Sequence, residues 1–140
     1  MVARLHHDGA SPFGLVVSGE AVEYVEVLRH IVGPRWLETY RASSDGEVLH
    51  LVREGVGHAV LLDDDAIEVD TLKLLRSIRR LNQALLVVLL TGHTERRYLE
   101  EAMRLAAFSV VAKPLRLEEL LVQIHRMMVR LEVVIRRPRF

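Results

Sequence analysis

The 140-residue chain has no cysteine and only 4 prolines, 8 glycines and 1 tryptophan. Without cysteine, it cannot form a disulfide scaffold, a thiolate nucleophile, an iron–sulfur cluster or a cysteine-based zinc site. The apolar run Ala84–Leu90 is far shorter than the roughly 20 residues that a membrane-spanning helix needs. Met1–Ala10 also lacks the apolar segment of a secretory signal. The sequence therefore predicts a cytoplasmic protein without a membrane span.

The charge and length of the chain favour one compact domain. Its 19 basic and 19 acidic side chains cancel, and 50% of its residues are hydrophobic. A chain of this length can bury a substantial core without metal or disulfide cross-links. We expect residues 1–12 to be a lead-in, residues 13–128 the domain, and residues 129–140 a basic helical extension or tail.

Short apolar stretches alternate with segments of helical spacing along the chain. The predicted strands are Phe13–Val17, Trp36–Ala42, Ala59–Leu62, Leu85–Leu90 and Phe108–Ala112. The predicted helices are Ala21–Val32, Glu47–Glu54, Thr71–Leu81, Thr94–Leu105 and Leu117 onward, with Asp70 and Thr94 as N-caps. This alternation predicts an α/β fold: a doubly wound, five-stranded parallel sheet with helices on both faces.

Polar residues follow four of the predicted strands. They are Ser18–Glu20, Asp63–Asp65, Thr91–Gly92 and Lys113–Pro114. Because the carboxyl ends of parallel strands share one edge, a carboxylate, a hydroxyl and an ammonium group should converge there. Such a set could act on a phosphoryl group, with the carboxylate as acceptor and acidic groups holding Mg²⁺. The alternative is that these residues are polar only because loops are solvated.

The order and spacing of these segments resemble the receiver domain of bacterial response regulators. The resemblance extends from Phe13 to Met128 and rests on Ser44–Glu47, Leu61–Leu75, Leu90–His93 and Ala112–Pro114. It implies a flavodoxin-like (βα)5 fold and a role in two-component, or phosphorelay, signal transduction rather than enzymatic turnover.

The resemblance also implies roles for individual residues. Asp63 matches the aspartate that accepts a phosphoryl group from a histidine kinase. Thr91 matches the hydroxyl residue that follows the phosphoryl group, and Lys113 matches the cation that pairs with it. The Lys113–Pro114 bond is expected to be cis, as is common in the family, and a proline bond adopts this isomer at little cost.

The acidic pair that binds Mg²⁺ in receivers is absent from this sequence. Ser18 and Gly19 occupy its two positions after the first strand. The remaining candidate ligands are Asp63, Asp65 through its backbone, and Glu20, which aligns with the next position. If about 4 kcal/mol of metal stabilisation were lost, phosphoryl transfer would slow roughly a thousandfold. We therefore expect Mg²⁺-dependent phosphorylation to be weak or absent.

Other positions also depart from the family pattern. Val110 stands where receivers often have an aromatic ring that rotates on phosphorylation, and valine has a stiff first torsion and no ring. Ile67 replaces the usual proline after the acceptor. Strand alternation predicts that Asp64 points away from Asp63. These features predict an atypical receiver that signals through protein–protein interaction.

The last predicted helix favours self-association. Its apolar positions form a heptad pattern of Leu117, Leu120, Ile124, Met127, Leu131 and Val134. An ordinary amphipathic helix on the sheet would account for this pattern up to Met128, but not for Leu131 and the residues beyond it. The pattern therefore leaves open either a homodimer through this helix or simple packing on the sheet.

The expected partners are a histidine kinase or another signalling protein. The sequence after the fifth helix is too short for an output domain, so the chain is expected to act through a partner. By resemblance, the contact surface comprises the fourth helix, fifth strand and last helix, with Arg96, Arg97, Glu100, Glu101, Arg104 and Arg116. The few basic residues at the end of the chain argue against nucleic acid.

A small-ligand-binding domain is the alternative from another functional class. Ser18 and Gly19 are small enough to admit a phosphate at a helix N-terminus, as in a flavodoxin-like site for a nucleotide or flavin. Against this, the sequence has no Gly-x-Gly-x-x-Gly or Walker A motif. Its seven histidines also lack the spacing of a zinc site.

Overall fold

The computed structural model describes residues 13–19, 21–33, 35–65, 70–105 and 108–135. Five strands and five helices alternate within them. They are β1 (Phe13–Ser18), α1 (Ala21–Val32), β2 (Leu37–Ala42), α2 (Asp45–Glu54), β3 (Ala59–Asp63), α3 (Thr71–Leu81), β4 (Leu86–Thr91), α4 (Arg96–Arg104), β5 (Ser109–Ala112) and α5 (Leu117–Ile135). The predicted alternation is confirmed. The predictions for residues 1–12, Glu20, Ile67 and residues 136–140 concern parts of the chain outside the described residues.

The five strands form one parallel sheet in the order β2-β1-β3-β4-β5. Val17 pairs with Leu61, and Asp63 pairs with Leu90 one strand further along. Thr91 pairs with Ala112. The residues that end β1, β3, β4 and β5 therefore lie along the same edge of the sheet, as expected of parallel strands with right-handed crossovers.

A hydrophobic core lies on each face of the sheet. Leu15 of β1 packs with Val25 of α1 and Leu120 of α5 in one core. Val16, the next residue of β1, packs with Leu75 of α3 in the other core. Successive strand residues point to opposite faces, so burial on both sides requires the continuous apolar runs seen in the sequence.

The N-cap predicted for α3 is confirmed. Asp70 has an extended backbone, and its carboxylate accepts hydrogen bonds from the backbone N–H groups of Leu72 (3.0 Å) and Lys73 (3.4 Å). These bonds satisfy donors that have no partner within the helix. The helix spans Thr71–Leu81, as the sequence predicts.

The predicted start of α4 is wrong. This helix begins at Arg96, two residues after Thr94, and its N-cap is Glu95. The Glu95 carbonyl accepts the first helical bond, from the Leu99 N–H (3.1 Å), but its side chain makes no capping bond. The preference of threonine for N-cap positions therefore placed the predicted cap one residue too early. The observed cap, Glu95, contributes only its backbone carbonyl.

The last helix is packed on the sheet for most of its described length. Leu120, Ile124 and Met127 are buried in the core that α5 shares with α1, and Leu131 packs against the same core. The expectation that Leu131 extends beyond the cover of the domain is therefore wrong, because the core continues one helical turn past Met128. Association through this helix stays a prediction. No helix within the described residues is long and apolar enough to cross a membrane.

The amino ends of β1 and β3 are joined through His58. The Nδ1 atom of its imidazole accepts a hydrogen bond from the Gly14 N–H at 2.7 Å. The backbone N–H of His58 donates to the Gly14 carbonyl at 2.8 Å. The imidazole ring stacks on Phe13, with ring centroids 5.7 Å apart. Burial lowers the pKa of His58, so the neutral ring that can accept through Nδ1 is favoured.

Candidate functional site

Two of the predicted site residues meet at the carboxyl edge of the sheet. Asp63 is the last residue of β3, and Lys113 directly follows β5. Lys113 Nζ donates to Asp63 Oδ1 at 2.5 Å, although β4 separates the two strands. Lys113 also precedes a cis peptide bond to Pro114, as the family resemblance implies. The long lysine side chain thus reaches back across the strand ends to the carboxylate.

The Lys113 ammonium bridges two carboxylates. Besides Asp63, it donates to Asp65 Oδ2 at 2.7 Å. The side chains of Lys113 and Asp63 are only 12% and 2% exposed, whereas that of Asp65 is 64% exposed. The hydrogen bond and positive charge of Lys113 lower the pKa of Asp65. A buried carboxylate is costly unless it is paired, and Lys113 supplies that pairing for Asp63.

Ser18 holds the backbone of Asp63. Its Oγ accepts a hydrogen bond from the Asp63 N–H at 3.0 Å, and both residues are buried. The next residue, Gly19, has φ 69°, in the left-handed region that favours glycine, and its carbonyl accepts from the Val22 N–H at the start of α1. At the two positions where the resemblance predicts an acidic pair, one side chain is therefore a structural hydrogen-bond acceptor and the other is absent.

Thr91 lies at the same edge, with its hydroxyl turned to its own loop. Its Oγ1 accepts from the His93 N–H at 2.9 Å, and the residue is only 1% exposed. Its carbonyl accepts from the Lys113 N–H at 2.9 Å. The backbone thus ties β4 to Lys113. In this structure, the predicted phosphoryl-contacting hydroxyl orders the β4–α4 loop.

A contact between Asp64 and α4 was not predicted from the sequence. Asp64 Oδ2 accepts a hydrogen bond from Tyr98 Oη at 3.1 Å and lies 3.9 Å from His93 Nε2. The His93 and Tyr98 rings stack, with centroids 4.3 Å apart. Burial and the Asp64 carboxylate raise the pKa of Tyr98, which keeps its hydroxyl protonated as the donor. No local sequence signal pairs residues 34 positions apart.

The expected orientation of Asp64 is also wrong. One carboxylate oxygen from each of Asp63, Asp64 and Asp65 lies within 4.8 Å of the others. Strand alternation does not apply because β3 ends at Asp63, and Asp64 already belongs to the following turn. The other buried residue of the three, Asp64, has an Oδ1 atom without a hydrogen-bond partner in the described part of the chain.

This acidic cluster has the donor chemistry that Mg²⁺ prefers. Three carboxylates, with water, would suit a hard cation that takes oxygen ligands, and Asp64 Oδ1 offers an unengaged buried oxygen. The sequence predicts Asp65 as a ligand through its backbone, and the structure also places a side-chain oxygen of Asp65 in the cluster. Lys113 already contacts both Asp63 and Asp65, however, so an incoming metal ion would compete with the ammonium for two of its three ligands. Glu20, the remaining candidate ligand, is not among the described residues.

Val110 takes part in the core rather than in a mobile contact. It lies in β5 and packs, half-buried, against the core formed with α2, α3 and α4. Its branched side chain offers no ring that could exchange between an inner and an outer position. The structure thus places an aliphatic packing residue at the predicted switch position.

Comparison with known proteins matches residues 17–125 to the response regulator receiver domain. The regulatory protein AtoC of Escherichia coli K12 is 35% identical over 83 residues, covering 59% of this chain and 18% of AtoC. The chain thus spans less than a fifth of that relative's length. A CheY-like receiver domain protein from Methanospirillum hungatei has the same fold, with a TM-score of 0.74, 17% identity, and coverage of 87% of this chain and 98% of the other. NtrX from Brucella abortus aligns with a TM-score of 0.71 and 22% identity, covering 87% of this chain and 28% of NtrX.

Proposed function

The chain belongs to the response regulator receiver family of two-component signalling, and we propose that it is an atypical member of it. In this proposal, Mg²⁺-dependent phosphorylation of Asp63 is weak or absent, and the signal passes through protein–protein contacts. The supporting observation is at the end of β1. Ser18 Oγ is engaged by the Asp63 N–H, and Gly19 beside it has no side chain.

In this proposal, the acceptor and the groups that contact the phosphoryl oxygens are kept, whereas the metal ligands after β1 are lost. Asp63 has the position of the acceptor, and Lys113 and Thr91 are the groups that would contact phosphoryl oxygens. Asp63, Asp64 and Asp65 would hold Mg²⁺, whose charge would stabilise the phosphoryl group as it transfers. The family's acidic pair would supply ligands from β1, and this chain supplies none at Ser18 and Gly19. Weaker metal binding therefore slows transfer without disturbing the fold.

Lys113 gives the resting site a cation of its own. Its ammonium contacts both Asp63 and Asp65, so the charge of the acidic cluster is partly neutralised without a metal ion. The free energy gained when Mg²⁺ binds would have to exceed the cost of breaking these contacts and of removing water from the ion. This competition supports a receiver that rests in one state and responds mainly to its partners.

Incubation with acetyl phosphate and Mg²⁺, followed by intact-mass measurement, tests the proposal. We expect little or no adduct of one phosphoryl group on the natural chain. A substantial adduct that is absent from the Asp63→Asn variant would overturn the proposal. As the positive control, the Ser18→Asp/Gly19→Asp variant should bind Mg²⁺ more tightly and gain the adduct. Titration of both proteins with Mg²⁺, with and without beryllofluoride, measures metal affinity directly.

The partners remain part of the proposal. We propose a histidine kinase or another signalling protein as partner, a cytoplasmic location, and no enzymatic turnover by this chain. Self-association through α5 would be seen by sedimentation at micromolar concentration, where a monomer would contradict it. The comparisons do not favour the alternative of a nucleotide or flavin site, since they match the receiver family over most of the chain.

A further inference from the structure

The charged side chains are distributed unevenly over the helices. α3 carries Lys73, Arg76, Arg79 and Arg80 and no acidic residue. Together, α3 and α4 carry seven basic and two acidic side chains, whereas α1 and α2 together carry two basic and five acidic ones, histidines apart. In a chain whose total charge is zero, this places a basic surface on one pair of neighbouring helices.

Most of the α3 cations face solvent along one stripe. Lys73, Arg76 and Arg80 are exposed and occupy one side of the helix by their spacing of three and four residues. Arg79 differs, because its guanidinium donates to the carbonyls of Gln83 and Leu85 in the loop after α3. Arg79 thus holds the loop after α3. Of the other three cations, Arg76 is paired with Glu101 of α4, and Lys73 and Arg80 have no ion-pair partner among the described residues.

A groove of about 700 Å³ lies between α3 and α4 beside this stripe. Its lining residues are Leu72, Glu95, Arg96, Arg97, Tyr98 and Glu101. Leu72 and Tyr98 are partly exposed and give it apolar surface. Within the described residues, Arg76 pairs with Glu101 at 3.7 Å and Arg96 with Glu100 at 2.8 Å, whereas Lys73, Arg80 and Arg97 have no ion-pair partner. We call this surface the α3–α4 face; it comprises Leu72, Lys73, Arg76, Arg80, Arg97 and Tyr98.

We propose that the α3–α4 face binds an acidic, amphipathic segment of a partner protein. Unpaired cations alone would fit a solvated surface, but here they lie beside a groove to which Leu72 and Tyr98 give apolar surface. The groove is also lined by two glutamates, of which Glu101 is already paired with Arg76. Such a groove matches a helix that has apolar residues on one side and carboxylates on the other. The inference deepens the proposed function, and rests on it, because it gives the chemistry of the contact through which the signal would pass.

Tyr98 connects the face to the acidic cluster. Its ring lines the groove, while its hydroxyl donates to Asp64, the neighbour of Asp63. A segment bound against Tyr98 therefore contacts a residue that is hydrogen-bonded to Asp64, in the turn after β3. Occupancy of the groove and the arrangement of Asp63–Asp65 are then linked, and by thermodynamic necessity the linkage works in both directions.

Binding of a defined peptide tests the proposed surface. The probe is a fluorescein-labelled helical 15-residue peptide with leucine and glutamate on opposite sides, and binding is followed by fluorescence anisotropy of the full chain. The Lys73→Glu/Arg97→Glu variant should bind about tenfold or more weakly, equivalent to about 1.4 kcal/mol. The matched variant Arg35→Glu/Arg53→Glu has the same charge change on exposed residues elsewhere and should stay within about twofold.

The specificity arms use other probes on the same proteins. A peptide with lysine in place of glutamate should not bind, and a 15-base-pair DNA duplex should bind more weakly than the acidic peptide. Tighter binding of the duplex, or equal loss in both double variants, would overturn the proposal. Circular dichroism melting verifies that both double variants are folded.

The Tyr98→Phe variant tests the link to the acidic cluster, since it keeps the ring and removes the hydroxyl. We expect the peptide to change the amide hydrogen exchange of Asp63–Asp65 in the natural chain and not in the variant. An identical change in both proteins would overturn the link. Failure of the peptide to bind overturns this inference alone, whereas a strong phosphoryl adduct at Asp63 overturns the proposed function and leaves the binding result standing.

Discussion

Different kinds of groups join neighbouring strands at the amino edge and at the carboxyl edge of the parallel sheet. At the amino edge, His58 and backbone groups join β1 to β3, and the imidazole that accepts the Gly14 N–H is held neutral by burial. At the carboxyl edge, charged and hydroxyl side chains form the contacts between strands, and Lys113 bridges Asp63 and Asp65. Both edges are ordered, but only the carboxyl edge concentrates charge.

The contrast shows which site residues the fold itself needs. The Asp63–Lys113 pair and the Ser18 hydroxyl each satisfy a buried group at the carboxyl edge, so they contribute to stability whether or not phosphoryl transfer occurs. In the proposed function, the absence of acidic side chains at Ser18 and Gly19 removes only metal ligands. Weaker phosphoryl chemistry would therefore leave the scaffold intact, because the remaining polar residues stabilise one another.

The largest expected effect is at the carboxyl edge. Replacement of Lys113 by Met removes the ammonium from the buried Asp63 carboxylate and should lower the free energy of unfolding by about 3 kcal/mol. Urea unfolding at neutral pH measures it. Lys73→Met, on the exposed side of α3, should change stability by less than about 0.5 kcal/mol. The Asp63→Asn/Lys113→Met variant should recover part of the loss, and no recovery would contradict a charge-pair origin.

A smaller effect is expected at the end of β1. Ser18→Ala leaves the buried Asp63 N–H without its acceptor and should cost about 1–3 kcal/mol, again measured by urea unfolding. Ser77→Ala in α3 is the matched control, because the Ser77 hydroxyl makes no hydrogen bond with the described residues. Equal losses in the two variants would show that the Ser18 hydroxyl has no special role at the carboxyl edge.

The amino edge should respond to mildly acidic pH. Because burial lowers the pKa of His58 in the folded state, the unfolded chain takes up the proton first as pH falls below about 6.5. The stabilisation by neutral His58 is thus present above that pH and is lost below it. The stability gap between the natural chain and His58→Leu should narrow from pH 7.5 to pH 5.5. A constant gap would show that protonation does not compete with the Gly14 hydrogen bond.

The smallest effect belongs to Asp65, whose side chain is mostly exposed. Lys113 lowers the pKa of Asp65, so its contribution is present above the ordinary carboxyl pKa of about 3.9 and is lost as pH falls through the lowered value. The stability gap between the natural chain and Asp65→Asn should therefore be small at neutral pH, should begin to shrink below about pH 4, and should disappear once the pH is below the lowered pKa. Acid titration followed by circular dichroism compares the two, and a gap that widens in acid would contradict this sign.

Much of the fold could be predicted from the sequence. The buried strands are short runs of apolar residues, and the helices between them have amphipathic spacing, so all ten elements were recognisable. α3 was predicted to the residue because Asp70 has a side chain well suited to an N-cap and does cap the helix. The start of α4 was not predicted correctly, because Thr94 has a side chain favoured at N-caps whereas the helix begins two residues later, at Arg96.

The site was predictable only where residues follow strand ends. Asp63 and Lys113 were expected to meet because parallel strands end on one edge, and they do. The bond between Asp64 and Tyr98 depends on how α4 packs against the turn after β3, and that packing is a tertiary property with no sequence period. Strand alternation gave the wrong orientation for Asp64 for another reason, because β3 ends at Asp63 and Asp64 belongs to the following turn.

The hydrogen bond from the Asp63 N–H to Ser18 also bears on how readily an acidic pair could be introduced at the end of β1. An aspartate at position 18 would still present an oxygen to that N–H, so the structural contact could survive the substitution. Position 19 has φ 69°, a conformation in which aspartate is better tolerated than most residues. The backbone at the end of β1 therefore accepts an acidic pair after only two substitutions, so metal ligands could be added there without redesign of the sheet.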